Sequence, residues 1–154
     1  MMTNLYERKL KRPFPETALS WRKGPGGSKE LVYINARDVM QRLDEVFGID
    51  GWSDTYEYIG DRMICKLSCN FGGNWVTKCD GADDTKIEGA KGGISDALKR
   101  AGVKFGIGRY LYVPSAFNGQ RKPAVWATQE GYDKIMDERE KSSLEKFRDG
   151  LGGA

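Results

Sequence analysis

Apolar and polar positions change their spacing several times along the chain, and each change marks an element. Residues 3–12 read as a short basic helix closed by Pro13 and Pro15, which cannot donate to a continuing ladder. Residues 17–23 and 30–35 read as two strands around Gly24-Pro25-Gly26-Gly27-Ser28, a hairpin with Arg22, Lys23 and Lys29 near its tip. Asn35 is a good N-cap, with Asp38 three residues on. Ala36, Val39, Met40, Leu43, Val46 and Phe47 then follow at helical spacing and stop at Gly48. Strands over 52–59, 63–71 and 74–79, joined at Gly60-Asp61 and Gly72-Gly73, form an antiparallel meander.

Thr85-Lys86-Ile87-Glu88 is a capping box and opens a second helix. At about 100° per residue, Ile87, Ala90, Ile94, Ala97, Leu98, Ala101 and Phe105 share its core face. The opposite face carries Gly89, Gly92 and Gly93, then Lys99 and Arg100, with Lys104 on the flank. A helix-interior glycine costs about 1 kcal/mol relative to alanine, so these three imply a close approach by a second subunit, the hairpin or a nucleic-acid strand. Beyond Gly106-Ile107-Gly108, residues 109–113 read as extended or irregular, and 118–123 as a loop. A final helix over 129–147 has sparse apolar positions, Tyr132, Ile135, Met136, Leu144 and Phe147, and residues 151–154 are expected to fray. The class is therefore α+β: hairpin, helix and three-stranded meander packed on a long basic helix, with a C-terminal helix appended. Residues 1–127 form the working domain, and 128–154 the helix and tail.

Composition narrows the chemistry. The 154 residues contain no histidine, which excludes serine-protease-type triads, Cys-His nucleophiles, His-ligated zinc and histidine general bases. The three cysteines, an odd count in a chain without a leader-like start, point to free thiols and a cytoplasmic protein. Cys65 and Cys69 share a strand face, with Cys79 expected near them on the paired strand; they read as small buried hydrophobes, since three thiols without histidine make a poor zinc site. No stretch reaches the roughly 18 apolar residues of a membrane span. Trp21, Trp52, Trp75 and Trp126 could stack bases, but core or interface roles fit better because each lies within or beside a predicted strand.

Net charge is only +3, yet its distribution is uneven: residues 1–29 sum to +5, 30–84 to −6, 85–126 to +6 and 127–154 to −2. Such segregation points to a polyanion site or to complementary subunit faces. Lys99, Arg100, Lys104 and Arg109 lie close together with Asp96 the single nearby acid, a pattern suited to phosphate contacts. Gly24-Pro25-Gly26-Gly27-Ser28-Lys29 lacks the Gly-Lys-Ser/Thr order and leads into a strand, so it is no phosphate loop.

The segment Asp96-Ala97-Leu98-Lys99-Arg100-Ala101, followed by Phe105-Gly106, resembles the core signature of the Rad52-like single-strand annealing proteins. Val32-Tyr33-Ile34, the helix over 39–47 and Gly48-Ile49-Asp50-Gly51-Trp52 form a second resembling block, so the likeness spans roughly residues 5–115. It implies ATP-independent annealing of complementary single-stranded DNA in recombination or repair, by a non-enzymatic, cofactor-free protein working as a homo-oligomeric ring, of bacteriophage or prophage type. The partners so implied are single-stranded DNA, further copies of the chain and a single-strand binding protein. In that family the Lys-Arg pair of the long helix contacts phosphates, which carries onto Lys99 and Arg100; Lys91 matches a basic position of the same helix, and Arg37 is nearest to a basic contact on the preceding one. Lys104, Arg109, Lys23 and Lys29 join the proposed DNA site from charge placement. Two alternatives stand beside this: a metal-dependent nuclease built on Asp80, Asp83 and Asp84, and a non-enzymatic RNA-binding module. For the three aspartates, the simpler account is an acidic lead-in to a helix N-terminus, where the dipole favours negative charge.

Overall fold

A three-stranded antiparallel sheet with one long helix laid across it forms the centre of the chain, in a computed structural model that describes residues 4–27, 29–83 and 90–152, and only the backbone of Ala90 and Lys91. In chain order the elements are α1 (Leu5–Lys11), β1 (Ser20–Lys23), β2 (Glu30–Tyr33), α2 (Ala36–Phe47), β3 (Trp52–Ile59), β4 (Arg62–Phe71), β5 (Asn74–Asp83), α3 (Ala90–Lys104) and α4 (Gln129–Gly152). Short 3₁₀ turns fill the links, among them Arg109–Tyr112. β1 and β2 form a separate two-stranded ribbon, and β4 is the middle strand of the order β3-β4-β5. This is the expected α+β architecture.

Strand alternation sets the core. Met63, Cys65, Leu67 and Cys69 of β4 are buried, while the residues between them turn outward. Leu98, Ala97, Ala101 and Phe105 of α3 close over them, and Val39 and Leu43 of α2 fill the flank. Full burial of side chains such as Leu43 and Leu67 contributes about 1.5–3 kcal/mol each. Gly102 allows α2 and α3 to cross closely, since a Cβ added there would lie 3.1 Å from Cγ1 of Val39. Asn35 and Asp38 form the reciprocal capping box that starts α2: Asp38 N–H donates to Asn35 Oδ1 (3.2 Å) and Asn35 N–H to Asp38 Oδ2 (3.0 Å).

The chain ends meet. Arg12 grips Asp133 through two bonds of 3.0 and 2.9 Å, and Arg8 pairs with Asp137 (2.7 Å) and Glu140 (3.1 Å). Tyr132 donates its hydroxyl to the Arg8 carbonyl (2.7 Å), so α4 docks on α1 of its own chain. Arg42 is the buried charge of the core, at 5% exposure. Its guanidinium donates to the carbonyls of Lys9, Leu10, Arg12 and Pro13 where α1 ends, and lies 4.2 Å from the Phe14 ring centroid. Burial lowers its pKa from the ordinary arginine value.

Several expectations need correction. The first strand begins at Ser20, because Glu16–Ala18 behind Pro15 makes a 3₁₀ turn, and residues 109–112 likewise coil instead of extending. β5 runs on to Asp83, past Cys79, and α4 continues through Leu151 to Gly152. On α3, Ile94 is 38% exposed although assigned to the core face, and Gly92 and Gly93, assigned to the opposite face, are buried. The buried apolar side chains described on α3 begin at Ala97. Cys79 pairs with Lys66, whereas Cys65 pairs with Asp80 and Cys69 with Val76, so Cys79 faces away from the other two thiols. The capping box at 85–88, Gly89 and Asp84 lie outside the described residues.

Candidate nucleic-acid interface

Between the β1–β2 ribbon, α3 and the segment after α3 runs a groove of about 950 Å³. Its α3 wall carries Asp96, Lys99, Arg100 and Val103, one helical turn of which points two cations inward. Lys99 pairs with Asp96 (3.5 Å), and its ammonium lies 5.7 Å from the Tyr33 ring centroid. Arg100 reaches Asp80 of β5 at 3.4 Å and keeps about half of its side chain in solvent. Both cations therefore rest against carboxylates of their own chain.

The ribbon forms the facing wall. Its register pairs Ser20 with Tyr33 and Arg22 with Leu31, so Arg22 and Tyr33 share a face, and Arg22 lies 5.5 Å from the Tyr33 ring. Tyr33 thus stands between two cations, one from each wall. The other ribbon face carries Trp21, Lys23, Val32 and Glu30, and the 117–121 segment covers part of it. Phe117 meets Trp21 edge to face at 5.3 Å. Arg121 lies over Trp21 at 5.6 Å and pairs with both carboxylate oxygens of Glu30, its Nε at 2.7 Å. That bond holds the Glu30 carboxyl below the usual range. Arg121 adopts φ 62°, unusual for a side-chain-bearing residue, and the Glu30 and Trp21 contacts fix it there.

The third side is the 3₁₀ turn Arg109–Tyr112. It begins at Gly108 in the left-handed region, φ 71°, where an added Cβ would meet Ile34 Cδ1 at 3.1 Å. Buried Ile107 and Tyr110 anchor it, and Tyr110 accepts a bond from the Phe14 N–H (3.0 Å). Leu111, Tyr112, Val113 and Pro114 then line the groove.

Of the residues selected from sequence, Lys99, Arg100 and Lys29 line the groove. Lys23 stands opposite Glu30 on the other ribbon face, and exposed Arg37 lies on the first turn of α2 outside the groove lining. Lys104 and Arg109 are engaged elsewhere. Lys104 donates to the Cys79 carbonyl, and Arg109 donates to the carbonyls of Val103 (3.0 Å) and Lys104 (2.8 Å), capping the end of α3. The Lys91 side chain lies outside the described residues. Sequence reasoning missed Arg22, Tyr33, Arg121 and Tyr112 as groove residues. Strand period together with the register Ser20↔Tyr33 places Arg22 and Tyr33 on one face, but no local signal brings residues 112 and 121 to the ribbon.

The alternative acidic site does not assemble around Asp80 and Asp83. Three residues apart on one strand, they point to opposite faces; Asp80 holds Arg100, and Asp83 faces Arg62 at 3.6 Å. No group of three metal-ligating residues occurs among the described residues, and Asp84 is not one of them. Burial pushes the thiols up, Cys65 to about 11 and Cys69 to about 12, so both stay protonated at neutral pH. The tryptophans divide: Trp52 and Trp126 pack against the core, Trp21 flanks the groove, and Trp75 is half exposed on the outer face of the sheet. No helix among the described residues is long and apolar enough to cross a membrane.

The chain is 34% identical over 113 residues to the single-stranded DNA-binding protein DdrA of Deinococcus deserti, a match covering 69% of this chain and 56% of the relative. To DdrA of Deinococcus radiodurans it is 33% identical, covering 69% and 54%. A more distant relative is the DNA repair and recombination protein rhm52 of Pyricularia oryzae, 28% identical over 131 residues and 23% of that protein's length. The chain thus spans little more than half the length of the bacterial relatives. The model of the Rad52/22 family of double-strand break repair proteins matches residues 3–66 and 62–124, which include both groove walls, and the chain belongs to that family.

Proposed function

We propose that this chain binds single-stranded DNA in the groove between the β1–β2 ribbon and α3, and anneals complementary strands as a homo-oligomeric ring. The observation that carries the reading is the pair Lys99 and Arg100 on one wall, facing Arg22 and Lys29 on the other. These four cations, beside an Arg121 already paired with Glu30, suit a polyanionic backbone, and the names of the bacterial relatives point to a single DNA strand. Phosphate contacts give affinity without sequence preference, which leaves bases free to sample a partner. Annealing needs no nucleotide and no chemical step, since pairing itself releases about 1.4 kcal/mol per stacked step. The protein's part is to hold the strand extended and to neutralise repulsion between backbones.

The test is a fluorescence-anisotropy titration of a labelled oligonucleotide against salt. Lys99→Ala and Arg100→Ala should each weaken binding and reduce the slope of log K against log salt by about 0.7, with thermal unfolding unchanged. Unchanged binding in both variants would sink the proposal. Competition with RNA of the same sequence and incubation with Mg²⁺ complete the experiment: preference for RNA supports the RNA-binding alternative, and strand cleavage the nuclease. Particle images with and without oligonucleotide test the ring, which a monomer in both states would refute.

A further inference from the structure

We propose that Tyr112 is a stacking platform for an unpaired base of the bound strand; this deepens the reading of the groove as a single-strand site and rests on it. Four aromatic side chains line the groove: Trp21, Tyr33, Tyr112 and Phe117. Three are already occupied. Trp21 packs edge to face with Phe117 and lies beneath Arg121, and Tyr33 stands between Arg22 and Lys99. Tyr112 has no ring or cation against it among the described residues and is 70% exposed.

Its support is rigid. The ring projects from a 3₁₀ turn fixed by left-handed Gly108, buried Ile107 and the Tyr110 hydroxyl that accepts the Phe14 N–H. Holding a large apolar ring in water beside Val113, itself 40% exposed, gives nothing to the isolated fold. The charge in the groove identifies the occupant: Lys99, Arg100, Arg22 and Lys29 suit phosphates, and a free aromatic face suits the bases between them. A duplex keeps its bases stacked inside and has no use for the ring. Tyr112 is thereby a determinant of single-strand preference, acting through its ring and not its hydroxyl.

The experiment compares a base-bearing oligothymidine with an abasic sugar-phosphate strand of equal length, both labelled, on the whole chain. Tyr112→Ala should weaken binding of the base-bearing strand about tenfold and leave the abasic strand unchanged, whereas Tyr112→Phe should bind both as the unaltered chain does. Equal affinity of Tyr112→Ala and the unaltered chain for the base-bearing strand overturns the proposal. So does an equal loss on both strands, which would mark a structural role, or a change in particle size, which would mark a contact between copies. Failure of the underlying reading has a different signature, in which Lys99→Ala leaves both strands bound as before.

Discussion

Arg42 shows how far one side chain can determine the arrangement of two elements. Its guanidinium serves four carbonyls where α1 ends, and the Phe14 ring stacks beneath it. Glu45, at 3.8 Å, is its distant counter-charge, so backbone dipoles carry most of the compensation for burial. Arg42→Ala should therefore destabilise the fold by about 3 kcal/mol, read as a lower urea midpoint with unchanged slope, because the Leu10 and Arg12 carbonyls lose this donor, those of Lys9 and Pro13 keep only Arg12 N–H and Gln129, and the packing on Phe14 is lost. Arg42→Lys should recover only part of this, since an ammonium lacks the planar fork that spans several carbonyls. In the sequence this arginine falls at an ordinary polar position of an amphipathic helix. Its role depends on carbonyls some thirty residues earlier, which no local pattern reports. Lys99 and Arg100 were legible for the opposite reason: their signal is contained in six consecutive residues. Lys104 and Arg109 belong to the same basic run, but Lys104 ties α3 to the Cys79 carbonyl of β5 and Arg109 caps the end of α3, because charge count along a segment does not say where a side chain ends.

Among the elements, α4 depends most on charge. Its contacts with α1 run through Arg12–Asp133, Arg8–Asp137 and Arg8–Glu140, with Tyr132 and Gln129 bonding to backbone. The bond from Arg12 holds the Asp133 carboxyl below its ordinary value of 3.8. A depressed carboxyl contributes stability that is fully present above the unfolded value and is lost as pH falls through the folded one. The thermal midpoint should thus be flat in this respect from pH 7 to about 4 and fall below that. Asp133→Asn should lower the midpoint at pH 7 and narrow the gap to the unaltered chain in acid. Glu7 and Glu30 are depressed by Lys11 and Arg121 and titrate in the same window, so the difference between the two chains, not either curve alone, isolates Asp133. Element signals in the sequence were clear where they were local: the capping box and apolar spacing of α2 gave its start and end, and the glycine turns gave the meander. The first turn of α3 was misassigned because helical periodicity describes a face without saying how far the layer beneath it extends. Cys79 was misplaced because pairing register, not strand membership, decides which thiols share a face.

At the scale of the whole molecule, the groove joins segments nearly a hundred residues apart, and that distance explains what remained hidden. One wall could be read from composition, but the arrival of Tyr112 and Arg121 opposite the ribbon is a property of the folded chain. The ribbon itself has only two strands, a unit that is marginal on its own. Trp21 against Phe117, Arg121 on Glu30 and Lys99 beside Tyr33 hold it in place. The groove is therefore a conformational state as well as a set of contacts. Apparent affinity equals intrinsic affinity multiplied by the fraction of time the wall stands in position. Phe117→Leu, which changes no charge, should raise the dissociation constant for an abasic strand while leaving the salt slope untouched; a changed slope would show that phosphate contacts had been lost instead. Weak binding in such a variant would measure the ribbon's occupancy of its place, so the proposed grip on DNA would be set in part by an apolar contact that carries no charge to the strand.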